Sequence, residues 1–245
     1  MFSYFFEEPL KCLLFAVIIF AANVIQTITG FAGVMLALPP SLLLLGPDMA
    51  KAAVNLLTWS TSVYLAWKNR RYIERREFFR IIFFMAIGAA AGIVLYDSVN
   101  PALLIPCYGA VIIAVALKNI LLKPSDAPLP RWAPVPILLG AGVIHGLFVS
   151  GGALLVIYLA AAFRDKHQFR ANASAVWALL NIFLMVSDYE KGLWNGELLT
   201  LTAVAAVPLI LAVWLGNRIH SRIDQTLFNR LTYGLLLLAG AMILL

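Results

Sequence analysis

Two short glycine-bearing stretches interrupt a chain that is otherwise apolar almost from end to end. They read Gln26-Thr-Ile-Thr-Gly-Phe-Ala-Gly33 and His145-Gly-Leu-Phe-Val-Ser-Gly-Gly152, and a shift of 119 positions lays Gly33 on Gly152. Inside a bilayer no water satisfies freed backbone groups, so a helix is broken only where protein buries the break or a cavity receives it. Two such breaks in corresponding places predict a binding site built by an internal repeat.

The membrane setting follows from composition. Of 245 residues, 62% are hydrophobic and 12% charged, with a mean hydropathy of +0.92. A water-soluble domain of this length needs more polar surface. Glu7 and Glu8 precede the first apolar run, where a cleaved signal peptide needs a basic start. Cys12 and Cys107 both lie in apolar segments, which argues against a disulfide or a thiolate metal site. The net charge of +6 falls mostly in short loops between apolar runs. It is therefore assigned to membrane topology rather than to nucleic acid.

Ten apolar segments are expected. The first five are Leu10–Ile28, Phe31–Leu45, Ala52–Trp67, Phe78–Tyr96 and Ala102–Leu122. A Pro-rich linker, 123–131, separates them from Trp132–Val149, Gly152–Phe163, Ala171–Ser187, Leu198–Gly216 and Leu227–Leu245. The expected fold is all-α and polytopic, with a first inverted repeat over 1–122 and a second over 132–245. The second and seventh segments are short for a hydrocarbon core about 30 Å thick at about 1.5 Å per residue.

Positive charge distinguishes a divided crossing from a hairpin. If each break joins two segments that enter and return, all but three of the 18 Lys and Arg residues fall on one side; the exceptions are Lys11, Lys51 and Lys191. If each broken pair is one crossing, the bias nearly disappears. The positive-inside rule thus favours hairpins, with both termini on the non-cytoplasmic side. An odd number of crossings per half then inverts the halves, as in many secondary transporters.

Polar residues recur at matching positions of the third and eighth segments. Asn55, Thr58 and Ser62 share one helical face, as do Ser174, Trp177 and Asn181. Each break begins a new helix, whose N–H groups carry partial positive charge that suits an anion. No carboxylate lies deep in a segment, because Asp97, Asp188 and Glu197 stand at segment ends. The expected substrate is a small anion, and no metal or other cofactor is called for. The expected contacts are Gln26, Thr29, Gly30, Gly33, Asn55, Thr58, Ser62, His145, Ser150, Gly151, Gly152, Asn172, Ser174, Trp177 and Asn181.

His145 reads equally as a proton carrier, an anion contact or a neutral packing residue. Gly88, Gly92, Ala212 and Gly216 read as helix-packing positions. Trp59 and Trp177 fit packing or an interfacial belt better than ligand contact. Lys51 and Arg170, at equivalent helix starts, read as snorkelling residues or as attractors of anions into two vestibules.

Thr29-Gly-Phe-Ala-Gly-Val-Met-Leu-Ala-Leu-Pro39 with Ala52-Ala-Val-Asn55, and Gly146-Leu-Phe-Val-Ser-Gly-Gly-Ala-Leu-Leu-Val156 with Arg170-Ala-Asn-Ala-Ser174, resemble the two motifs of the TauE/SafE sulfite exporter family. The resemblance covers nearly the whole chain. It implies transport of sulfite, sulfonates or related sulfur-containing anions across a bacterial inner membrane. Ala32 and Val34 occupy positions where that pattern usually has glycine, and Tyr158 stands where it commonly has proline.

The expected function is alternating access of such an anion at a central site, with the proton as the candidate coupled ion and His145 as its candidate carrier. The alternatives are a drug/metabolite-type five-plus-five transporter of neutral or cationic metabolites, and an anion channel. An enzyme is not expected, because His145, His167 and His220 are widely separated in sequence and show no ligand spacing. Direction and oligomeric state are not legible in sequence.

Overall fold

In a bilayer only hydrogen bonds within a segment keep an isolated strand of backbone satisfied, and the described residues are helical accordingly. The computed structural model describes residues 7–96, 129–149 and 151–244, together with a few isolated positions between 106 and 117. Most of the predicted segment Ala102–Leu122 and the first part of the linker lie outside the described residues.

The helices are α1 (Pro9–Thr29), α2 (Gly33–Leu45), α3 (Pro47–Lys68), α4 (Arg75–Tyr96), α5 (Pro134–Phe148), α6 (Gly152–Ala162), α7 (Lys166–Glu190), α8 (Gly196–Arg222) and α9 (Gln225–Leu244). A 3-10 turn, Arg70–Tyr72, joins α3 to α4. By length and composition α1, α4, α7 and α8 can each cross a membrane, whereas α2, α5 and α6 are short apolar helices. The protein is a multi-pass membrane protein.

Several helices extend past their apolar runs, because polar residues cap them. Asp165 accepts the N–H groups of His167 and Gln168 at 2.9 Å, which starts α7 ahead of the predicted Ala171. Asn195 does the same for Glu197 and Leu198 at the start of α8. Pro47 opens α3 after Gly46 turns the chain with φ at 79°. Proline is at ease in a first helical turn, where its missing N–H leaves no bond unmade.

Packing is reciprocal between the halves. The first helix of each half packs against the fourth helix of the other, α1 on α8 and α5 on α4, and the third helices α3 and α7 pack on each other. The α4–α5 contact is backbone on backbone. A methyl group at Gly88 or Gly92 would fall on the carbonyl oxygens of Leu139 or Val143, and one at Gly142 or Gly146 on those of Met85 or Ala89. Gly216 does the same for α8 against Thr27 and Val24 of α1. The packing role expected for Gly88, Gly92 and Gly216 is what these contacts show, because small residues let membrane helices approach closely. The outer faces are apolar, as with Val207, Ile210, Leu211 and Trp214 on α8. Buried polar side chains concentrate inside.

Charges separate along the bundle. At one end the Asn69–Glu74 loop, the start of α7 and the end of α8 meet. Asn172 donates to the Tyr72 carbonyl at 3.2 Å and accepts the Glu74 N–H at 3.1 Å, while His167 stacks on Tyr72. The start of α5 and the end of α6 lie beside Glu77 and Arg80 of α4, around a cavity shared by Leu129, Pro134, Ala161 and Ala162. Tyr158 donates a hydrogen bond to Glu77. This basic end gathers most of the Arg and Lys residues.

The opposite end holds the start of α1, where Lys11 pairs with Glu8 at 3.1 Å, and the start of α8, whose Glu197 lies near Cys12. There too the start of α3 meets the end of α7, with Asp48, Lys51 and Lys191 around Asp188. The α1–α2 pair therefore starts and finishes at this opposite end, and the α5–α6 pair starts and finishes at the basic end.

Candidate functional site

The two breaks adopt the same backbone turn. Gly30 closes α1 in the left-handed region at φ 89°, with its N–H on the Gln26 carbonyl at 2.6 Å. Val149, its counterpart 119 positions on, closes α5 at φ 56° with its N–H on the His145 carbonyl at 2.8 Å. For a β-branched residue that conformation is strained, since Cβ crowds the backbone. Gln26 and His145 thus occupy equivalent positions, each supplying the carbonyl that closes its turn.

The turns meet. A methyl group on Gly152 would touch Met35, Phe31 and Trp177, with the nearest atom, the Met35 Cε, at 2.8 Å. A small enclosed cavity lies between the turns. It is lined by Gln26, Phe31, Val34 and Met35 from the first half and by Val149, Gly152, Trp177 and Asn181 from the second. Its volume, about 10 Å³, is roughly the room one water molecule needs. The contact of the two turns, decisive for any shared site, is thereby present.

Around this cavity buried polar groups are left without partners. Gln26 donates to the Thr58 carbonyl and to Ser62 Oγ, both at 3.0 Å, which fixes its amide on α3; its Oε1 has no partner. Among the described residues the same holds for Asn55 Oδ1, Asn181 Oδ1, Ser174 Oγ, Trp177 Nε1 and both nitrogens of His145. All six residues are buried, and His145 lies against Trp177 with ring centroids 5.0 Å apart. A buried polar atom without a hydrogen bond costs about 1–3 kcal/mol, so such a cluster calls for a ligand or water.

The pairing of α3 with α7 holds these faces together. Asn55 donates to the Asn181 carbonyl at 3.4 Å, and the Trp59 indole donates to the Ala178 carbonyl at 2.9 Å. Trp59 and Ala178 are themselves 119 positions apart, so this contact joins corresponding points of the two halves.

The remaining expected residues serve elsewhere or at one remove. Thr58 and Ser62 bond back to their own helix and hold Gln26. Thr29 accepts the N–H groups of Phe31 and Ala32 at 3.4 and 3.3 Å, so it pins the turn that leads into α2. A methyl group on Gly33 would collide with the Gln26 carboxamide, and one on Gly151 with the Ala141 carbonyl. Asn172 ties the Asn69–Glu74 loop to α7 at the basic end, away from the cavity. Ser150 lies outside the described residues.

Two features escape a reading of the sequence. Arg170 does not snorkel: it is 4% exposed, and its guanidinium bonds the Thr27 carbonyl at 3.1 Å, Asn217 at 3.2 Å and Asn69 at 3.1 Å. His167 and His220, far apart in sequence, meet with ring nitrogens 3.3 Å apart, and His220 Nδ1 is 2.8 Å from the Ile28 carbonyl. The only hint in the sequence was the helical spacing that puts Arg170 on one face with Ser174, Trp177 and Asn181. Among the described residues no cluster of three or more His, Cys, Asp or Glu side chains forms a metal site.

No curated protein and no solved structure matches the chain. Residues 14–243 match the family model described as Sulfite exporter TauE/SafE. The match takes in both turns, the paired helices α3 and α7 and every residue around the cavity: the chain belongs to the TauE/SafE sulfite exporter family.

Proposed function

We propose that this protein is a secondary transporter that carries a small sulfur-containing anion, such as sulfite or a sulfonate, through the cavity between the two turns. The observation that carries this reading is the set of unpartnered buried polar atoms on the cavity-lining Gln26, Trp177 and Asn181 and on Asn55, His145 and Ser174 next to them. The unpartnered indole, hydroxyl and imidazole groups of Trp177, Ser174 and His145 are neutral donors that an oxyanion accepts from, while the unpartnered carboxamide oxygens of Gln26, Asn55 and Asn181 accept from water or from a protonated ligand. Among the described residues no acidic side chain lines the cavity, whereas a cation carrier needs one there; Asp188 reaches only the neighbouring Asn55 side chain.

The two glycine-broken pairs act here as hairpins inserted from opposite sides, so the halves form inverted repeats over 1–122 and 132–245, joined by the linker 123–131. The reciprocal packing of α1 on α8 and α5 on α4 supports that relation. In this reading the basic end faces the cytoplasm and both termini lie outside it, in a bacterial inner membrane, and the gathered arginines and lysines support that orientation. The cavity holds about one water, so the structure fits an occluded state, and opening one hairpin at a time gives alternating access.

Counterflow of radiolabelled sulfite, taurine and other sulfur anions into proteoliposomes tests the reading. Asn55→Ala and Asn181→Ala should lower the initial rate about tenfold or more, since Asn181 lines the cavity and Asn55 holds the backbone that carries it. Unchanged rates in both variants would remove the cavity from the pathway. A proton exchanged through His145 would make the rate depend on pH, and the assay at two pH values with His145→Ala measures that dependence.

A further inference from the structure

Between the cavity and the basic end stands the first turn, held there by groups that suit an anion. Arg170 is one helical turn before Ser174 and two before Trp177 on the same face of α7. A methyl group on Gly30 would lie 3.0–3.1 Å from Arg170 backbone and Cγ atoms, so this side chain rests directly on the turn. Its guanidinium has no carboxylate within ion-pair distance among the described residues. It bonds only neutral oxygens, from Thr27, Asn217 and Asn69. Its Nε is buried and has no partner. Beside it His220 contacts the Ile28 carbonyl, and Lys166 donates to the carbonyls of His220 and Ile223.

Thr27 and Ile28 belong to the last turn of α1, whose carbonyl oxygens carry the negative end of the helix dipole. They are weak, built-in substitutes for an anion. A carboxylate, sulfonate or phosphate binds a guanidinium more strongly and engages two of its N–H groups at once. Opening the cavity toward the basic end requires the first turn to leave α7 and α8. That movement breaks the Arg170–Thr27 and His220–Ile28 contacts and frees N–H donors where the path opens.

We propose that Arg170 forms an outer anion site that doubles as a latch: an arriving sulfonate-type oxyanion displaces the Thr27 carbonyl from Arg170 and so releases the first turn. The proposal rests on the reading of the cavity as an anion pathway and names the step that admits the anion from the basic end. The residue equivalent to Arg170 in the first half is Lys51, whose single ammonium offers no fork for an oxyanion.

The test is hydrogen–deuterium exchange of the segment 24–34 in the full protein in nanodiscs, with and without methanesulfonate and with gluconate as the control for ionic strength. The wild type should exchange about fivefold faster on adding methanesulfonate, because the anion shifts the population toward the released turn. Arg170→Gln should exchange fast with or without the anion. Arg170→Lys should lose most of the response. If Arg170→Gln does not elute as folded protein, His220→Gln supplies the comparison: its exchange should start faster and still rise with methanesulfonate.

The response should survive in Asn181→Ala, which removes a cavity ligand but leaves Arg170 in place. Its loss there would place the effect in the central cavity and overturn the latch. Equal exchange in the wild type with and without the anion would overturn it as well. The cavity reading fails on a different result, unchanged counterflow in Asn55→Ala and Asn181→Ala, so the two failures are distinguishable.

Discussion

The two turns share a backbone and differ in almost every side chain. At the closing position the first has Gly30 and the second Val149, both in the left-handed region. One turn inward, Gln26 is anchored on Thr58 and Ser62, whereas His145 has no partner for either ring nitrogen. The first turn is pinned by the Thr29 hydroxyl, which accepts the Phe31 and Ala32 N–H groups, and the corresponding Phe148 carries no side-chain oxygen to do so. Toward the basic end the first turn is held by Arg170 and His220. The two turns thus share a backbone shape and differ in chemistry: the first is anchored through Gln26, Arg170 and His220, and the second is strained at Val149 and leaves the His145 ring without partners.

Five tests, using six substitutions, break or sharpen this comparison. The largest effect is expected outside the turns, in the seam that carries the second one. Gly142→Leu drives a side chain into the Met85 carbonyl, which cannot move without separating α4 from α5. It should cost more than about 3 kcal/mol and abolish folded protein on size-exclusion chromatography in detergent.

Gly30→Val comes next. It recreates the residue type of the second turn at a site where Cβ meets Arg170 backbone at 3.0 Å in addition to the left-handed strain. A loss of about 2–3 kcal/mol, read as a lowered thermal midpoint, is expected. A neutral result would mean that the two turns are interchangeable.

Gln26→Ala against His145→Ala compares the equivalent side chains directly. Gln26→Ala should lower both stability and counterflow, because it removes two hydrogen bonds to α3 as well as a cavity group. His145→Ala should lower counterflow about tenfold with little loss of stability, because no bond in the occluded state depends on it. Val149→Gly should raise the thermal midpoint modestly, by about 1 kcal/mol of relieved strain, less the extra entropy glycine gives the unfolded chain. An unstrained Val149 would leave the midpoint flat or lower it. The smallest effect on transport is expected from Asn172→Ala, which should destabilise by about 1–2 kcal/mol through the lost Tyr72 and Glu74 contacts. A large fall in transport at unchanged stability would instead bring Asn172 into the pathway.

The sequence alone determined a good deal. Hydropathy located α1, α2, α4, α5, α6, α8 and α9 to within a few residues of their apolar cores, because burial in lipid demands apolar side chains whatever the tertiary arrangement. The repeat offset paired Gln26 with His145 and Gly33 with Gly152. The spacing of Asn55, Thr58 and Ser62, and of Ser174, Trp177 and Asn181, gave two polar faces whose only plausible direction in lipid is inward.

Tertiary structure decided what those faces do. Whether the turns touch, that Thr58 and Ser62 hold Gln26 while Asn55 and Asn181 are left with unpartnered oxygens, and that Asn172 turns away to the loop all depend on how α3 crosses α7. No one-dimensional pattern encodes a crossing. Arg170 shows the difference most clearly. Four residues into an amphipathic helix, an arginine ordinarily reaches back to water. Here the carbonyls that end α1, together with Asn69 and Asn217, receive it instead, and those oxygens come from positions 47 to 143 residues away.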